Sequence, residues 1–347
     1  MKNFYSIVAC LLILSAPVVV NAGNPDRTGQ AGASELLINP FARSSGFNSL
    51  NTASVKGIES IRMNIGGLAH TQQTEIIFSN TNWLRGSDIF INTFGLSQKV
   101  GDAGALGVSI MAMSFGDIEI TTGDLPEGGI GTYKPQFLNI ALGYSKAFSS
   151  SIYGGFVARA IHESIPDVNA QGLAIDAGIQ YITGSDENLR FGISLRNIGM
   201  PMKFGGDGIS FSSFSPSGDF DMTVEQRSQR YELPSLLNIG GAYDLKFQDK
   251  HRVTIVANFT SNSFTPDQVG AGIEYSFKEY FMVRAGYKYE EGITKSETRN
   301  SALTGLGAGF TVELPMKTDG PTFGLDYSYR TTNPFNGIHS LGVRINL

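Results

Sequence analysis

Ser340-Leu-Gly-Val-Arg-Ile-Asn-Leu347 closes the chain with two interleaved sets of residues. Leu341, Val343, Ile345 and Leu347 alternate with Ser340, Gly342, Arg344 and Asn346. A period of two gives a strand with one apolar and one polar face. No later hairpin can cover the free edge of such a strand. It pairs with an earlier strand, or the edge stays open.

The same alternation recurs upstream. In Phe281–Tyr289, the residues Phe281, Val283, Ala285, Tyr287 and Tyr289 oppose Met282, Arg284, Gly286 and Lys288. Phe191, Ile193 and Leu195 oppose Arg190, Gly192, Ser194 and Arg196, and the stretches 173–181, 237–246, 253–259, 269–277 and 323–329 read alike. No apolar face in these segments carries a charge. Arg196, Asp244, Glu274, Arg284, Lys288, Asp326 and Arg344 all fall on the small, polar face. A charge facing lipid at mid-bilayer costs roughly 2–4 kcal/mol, so this segregation points to an all-β transmembrane barrel with apolar residues outside and a wet lumen. Tyr181, Tyr289 and Tyr329 at segment ends suit an aromatic girdle.

The pattern predicts about fourteen antiparallel strands: 73–84, 87–99, 104–116, 135–148, 151–163, 170–182, 188–197, 232–246, 251–261, 267–277, 281–291, 302–314, 320–331 and 337–347. An even count puts both ends of the chain on the periplasmic side. The two longest connections, about 117–134 and 198–231, then fall outside the cell. The last strand must seal against the first. Its spacing of Ser340, Gly342, Ile345 and Leu347 resembles the terminal assembly signal of outer-membrane barrels, with Leu347 where an aromatic residue is usual. Gly342 is expected to keep that seam uncrowded.

Lys2, the 14-residue apolar run Ile7–Val20 and Val20-Asn21-Ala22 form a secretory signal peptide over residues 1–22, and the run is too short to span a membrane. Cys10 is the only cysteine, so an exported mature chain has no disulfide to hold it. Charged residues make up 16% of the chain, against ~25% in typical soluble domains. A net charge of −5 argues against nucleic acid as a partner. Residues 23–72 break the alternation. Ser34 caps a short helical turn that Pro40 ends, and the segment reads as a plug or hatch ahead of a barrel over 73–347.

Little in the sequence points to chemistry. His70, His162, His251 and His339 are scattered without metal-ligand spacing. No nucleophile, base and orienting acid assemble. Gly305-Leu-Gly-Ala-Gly309 lies in an alternating strand with no helix after it, unlike a phosphate loop. Asp117, Glu119, Asp124 and Glu127 read as a solvated acidic loop. No catalytic, cofactor-binding or metal residue is assigned. The long loops instead carry apolar residues where water is expected: Ile118, Ile120 and Leu125 in one, Phe204, Phe211 and Phe214 in the other. Exposed apolar material marks interaction surfaces, and these are the candidate partner-binding residues.

Several segments carry a resemblance. They are Gly32-Ala-Ser-Glu-Leu-Leu-Ile-Asn-Pro-Phe-Ala-Arg-Ser-Ser-Gly46, Phe94-Gly-Leu-Ser-Gln98, Phe115-Gly-Asp-Ile-Glu-Ile-Thr-Thr122 with Asp124-Leu-Pro-Glu-Gly-Gly129, Gly178-Ile-Gln-Tyr181, and Asn197-Ile-Gly199 with Pro201. Together they resemble the PorV/PorQ family of outer-membrane proteins of the type IX secretion system, the PorV branch more closely. Asn64-Ile-Gly-Gly-Leu-Ala69 is similar to an element of the wider FadL-like transporters, with Ile65 in place of proline. The resemblance implies a fourteen-stranded barrel in the outer-membrane lipid and a non-enzymatic role. The implied partners are the large type IX translocon barrel, secreted cargo bearing a C-terminal signal domain, and a surface attachment complex with a sortase-like peptidase. A FadL-type channel for small hydrophobic molecules is the alternative.

Overall fold

The computed structural model describes residues 23–248, 250–316 and 320–347; the signal peptide expected over 1–22 lies outside the described residues. Fourteen strands build the wall: β1 Thr74–Trp83, β2 Ile89–Val100, β3 Gly104–Ser114, β4 Gln136–Ala147, β5 Ile152–Ile165, β6 Val168–Thr183, β7 Leu189–Gly199, β8 Leu236–Phe247, β9 His251–Asn262, β10 Gln268–Phe277, β11 Phe281–Glu290, β12 Leu303–Pro315, β13 Thr322–Thr332 and β14 Ile338–Asn346. Each pairs antiparallel with its neighbours in sequence. The ring closes where β14 meets β1, Leu341 opposite Asn80 and Ile345 opposite Ile76. Closure leaves no edge, the condition for strands to cross lipid. The connections at the end bearing Thr74 and Asn346 are all short in sequence; 115–135 and 200–235 lie at the opposite, extracellular end.

The eighth strand starts at Leu236, four residues later than its sequence pattern suggests. Pro234 offers no N–H to a ladder, and Leu233 is buried in an inner apolar cluster. β7 is bulged. Ile175 pairs with Ile198 but Ala177 with Leu195, so one extra residue enters β7 near Asn197. The Asn197 N–H donates to Asp176 Oδ1 at 2.6 Å, and its φ of 60° is left-handed.

The lumen is not wet along its length. Residues 32–71 fill it as a plug of 3-10 turns and one short α-helix, α1 Ala42–Gly46. Phe41, Ile58, Ile61, Ile65 and Leu68 of the plug pack on Ile77, Ala105, Ala141 and Val157 of the wall. Phe47, Leu50 and Ala53 pack on Ala242 and Val256 across the ring. These inward wall residues sit at the same parity as the inward charges, so the polar face is in part an apolar socket for the plug. The plug also threads the barrel from end to end. Gly23 lies against Thr265 and Asp267, and Arg27 sits 4.2 Å over the Phe264 ring, in the extracellular connection 263–267. The described chain therefore starts at the extracellular mouth, not on the periplasmic side. Strand parity fixes the end at which β1 begins but not the path of an irregular segment before it.

Candidate functional surfaces

The plug is tied to the wall by polar side chains with no periodic signature. Asn64 is the hub. Its Oδ1 accepts from the Gly66 N–H at 3.2 Å, and its Nδ2 donates to the carbonyls of Thr52 and Ile179. A Cβ on Gly178 would stand 2.3 Å from that Oδ1, so β6 needs glycine there. Gln180 donates to the Val55 carbonyl at 2.9 Å, Ser194 to the Met63 carbonyl at 2.9 Å and Asn48 to the Gly305 carbonyl at 2.7 Å. Glu59 is fully buried and accepts from the Ser44 N–H and hydroxyl. Burial and then the nearby Asp326 raise its pKa. Glu35 accepts from Asn139 Nδ2 at 3.3 Å and leaves Oε2 without a partner. Burial first, then the Glu163 carboxylate, push the Glu35 carboxyl up to about 7.

The structure places the inward charges in chains of ion pairs along the wall. Arg284 donates to Glu274 at 2.8 Å, and Arg252 reaches Glu274 at 3.2 Å and Glu279 at 2.7 Å. Asp244 pairs with Arg190, Arg344 pairs with Glu313 at 2.9 Å, and Asp326 accepts from Thr311. Arg196 reaches the Leu36 carbonyl of the plug at 3.3 Å, and Lys288 is half-buried on the inner wall. At the periplasmic mouth two cavities of about 350 Å³ each share Arg43 and Lys56. Both are walled by charged groups, among them Glu187 and Arg252 in one and Glu313 and Arg344 in the other.

Ser340 and Gly342 face inward on β14, whereas Leu341 and Leu347 are exposed on the lipid face. The Leu347 N–H donates to the Thr74 carbonyl at 2.8 Å, which completes the seam, and Ile345 pairs with Ile76. Gly342 pairs with Ser79 across the seam. A Cβ there would meet Ala42 of α1 at 3.4 Å, an ordinary van der Waals contact, so the residue also faces the plug.

Ile118, Ile120 and Leu125 are exposed in the loop between β3 and β4. In the longer loop, Ser210–Phe214 and Asp221–Glu225 form a two-stranded ribbon with no third strand. Phe211 opposes Val224 and Ser213 opposes Met222, so these four share one face. Phe220, in the bend just before the second strand, is exposed as well. Phe214 opposes Asp221 on the other face with Ser212 and Thr223. Phe211 and Phe214 are both exposed, on opposite faces of the ribbon. Phe204 is half-buried. It packs on Tyr231, ring centroids 5.6 Å apart, against the inner cluster of Leu36, Ile161 and Met202. Tyr231 in turn donates to Glu163 at 2.6 Å and lies over Gly32, so this end of the loop clamps the start of the plug.

No family model and no curated protein matches the chain. Solved structures do. A CymD monoaromatic hydrocarbon channel is 14% identical, with a TM-score of 0.55 over 89% of this chain and 97% of that one. The Ralstonia pickettii toluene transporter TbuX is 11% identical, with a TM-score of 0.56 over 88% and 97%. A Pseudomonas aeruginosa FadL homologue is 11% identical, with a TM-score of 0.53 over 88% and 98%. The chain has the FadL-like fold. That fold is a closed outer-membrane barrel, and at these identities the likeness extends to architecture alone. Asn64, Glu59 and Tyr231 were not singled out in the sequence as plug anchors. Only Asn64 had a signal there, as the head of the FadL-like Asn64–Ala69 stretch.

Proposed function

We propose that this FadL-like barrel is a plugged, non-enzymatic adaptor of protein export, with its working surface outside the cell. The observation that carries the reading is the ribbon. Phe211 and Met222 stand exposed on one face of a two-stranded sheet whose outer edges are both unpaired, with Phe220 exposed in the bend beside it. Open edges accept a further strand through main-chain hydrogen bonds, and aromatic anchors carry most of the energy in such contacts. The partner chemistry that fits is a folded β-domain with an apolar strip. The resemblance to PorV supplies the class: secreted cargo with a C-terminal signal domain, delivered beside the type IX translocon barrel and passed to the surface attachment complex. The interior supports an adaptor, since its two cavities at the periplasmic mouth are walled by charged groups and an apolar plug core packs on the wall.

Pull-down of tagged protein from detergent extracts tests this. Phe211→Ser with Phe220→Ser is expected to lose co-purifying cargo, and Phe214→Ser to retain it, with barrel insertion normal in both. Equal cargo recovery from all three proteins would overturn the ribbon as the docking face. A second reading, a channel for small hydrophobic molecules, is favoured by the fold shared with hydrocarbon channels and by the N-terminal plug. It requires uptake of a labelled monoaromatic hydrocarbon by cells that produce the protein, and no dependence of that uptake on Phe211 or Phe220.

A further inference from the structure

Beyond any docking role, we propose that the outer wall carries a binding groove for an acyl lipid with a phosphorylated head group, held in the outer leaflet. The groove encloses about 800 Å³ on the lipid-facing side of β4, β5 and β6, at their extracellular ends. Its floor follows the strand register. Ile140, Ala160 and Leu173 form one cross-strand row, and Leu138, His162 and Gln171 the next row outward. Ala160 is the small member between two long aliphatics, so the row has a trough the width of a chain. Above these rows the loop after β7 lays Met200 and Pro201 along one side, and Lys203 and Arg230 close the extracellular end.

The polarity therefore changes in one direction: aliphatic toward mid-membrane, then imidazole and amide, then two cations at head-group depth. This is the polarity of a phospholipid or phosphorylated glycolipid standing in its own leaflet. Lys203 and Arg230 are exposed, and neither side chain makes an ion pair or hydrogen bond with another described residue. On the wall, Arg159, Arg190, Arg252, Arg284 and Arg344 are committed to carboxylates. Two free cations over an apolar trough complement a phosphate, which accepts charge-assisted hydrogen bonds from both. Free phosphate would use the cations and leave the trough unfilled; a neutral lipid would do the reverse. The bulged path of β7 places the loop here. After Gly199 the chain leaves the ladder and rejoins β6 only at Phe204, opposite Ala170, so Met200–Lys203 skirt the wall. Met202 turns inward over Gly172 and fixes Lys203 outward.

Native mass spectrometry of the purified mature protein in detergent tests the groove, with bis-phosphorylated lipid A and its dephosphorylated form as probes. The wild type is expected to retain the phosphorylated lipid at least about tenfold better. Lys203→Gln with Arg230→Gln should bring the two lipids to parity. Ala160→Trp, which fills the trough and leaves the charges, should lower retention of both. Heat-modifiable migration reports that each variant is folded, and the two loop substitutions lie outside the strands. Equal retention of both lipids by the wild type, or a preference that survives loss of both cations, overturns the proposal. So does full displacement of the lipid by millimolar inorganic phosphate, which would make this a free-anion site.

Discussion

Glu35 shows how one residue sets the plug's response to pH. Its carboxyl is buried beside Glu163 and lacks a donor for Oε2, so the neutral form suits the folded state. The folded value of about 7 lies above the reference of 4.5. The stabilisation by the neutral form is then complete below about pH 4.5 and is lost as pH rises through about 7. Glu35→Gln keeps the side chain neutral and preserves an acceptor for Asn139. The variant is expected to match the wild type in thermal stability at pH 4 and exceed it at pH 8, by at most roughly 3 kcal/mol. Melting followed by heat-modifiable migration across that range checks it. A difference independent of pH, or a less stable variant at pH 8, would show that Glu35 is held ionised. Nothing in Ser34-Glu-Leu-Leu37 announces this, because the carboxyl is buried by wall residues over a hundred positions away.

At the scale of elements, β14 is where sequence and structure meet most directly. Its apolar face follows from lipid and its polar face from the plug, so alternation alone locates it. Asn346, Ile345 and Arg344 make the last pairings with β1, and the Leu347 N–H donates to Thr74 beyond them. Deleting Ile345–Leu347 removes two rungs and the terminal N–H to Thr74. Loss of membrane insertion, seen as clearance of the chain by periplasmic proteases, is the expected result. Normal surface levels of the truncated protein would sever β14 from assembly. Most other strands are legible for the same reason, since a charge on the outer face is penalised wherever it occurs, while the alternation of β2 to β5 is more ragged. The plug turns and the ribbon were not. Neither is periodic, and their pairing depends on which distant wall residues they meet. Phe204, Phe211 and Phe214 look equivalent along the chain, yet register separates them into a packed residue and two opposite faces. Gly342 likewise reads as a seam residue, and only the placed α1 shows that it also faces the plug.

For the whole molecule, the question is whether the plug stays. A channel must clear a route past residues 32–71, whereas an adaptor works with the plug seated. Seating is extensive: apolar clusters join the plug to both sides of the ring, and hydrogen bonds from Asn48, Asn64, Gln180 and Ser194 link plug and wall. A covalent lock separates the alternatives. A Cβ on Gly307 would lie 3.1 Å from Asn48 Cβ, a few tenths short of disulfide spacing. The only cysteine of the sequence, Cys10, falls within the signal peptide read over 1–22, so Asn48→Cys with Gly307→Cys introduces the one intended pair. The adaptor reading expects oxidised and reduced forms to recover cargo equally, and neither form to admit a labelled monoaromatic hydrocarbon into liposomes. Hydrocarbon flux in the reduced form that stops on oxidation would instead assign the molecule to transport. Cargo recovery that falls on oxidation would mean that the plug moves during docking, and the clamp of Tyr231 over Gly32 would be the contact through which ribbon and plug are joined.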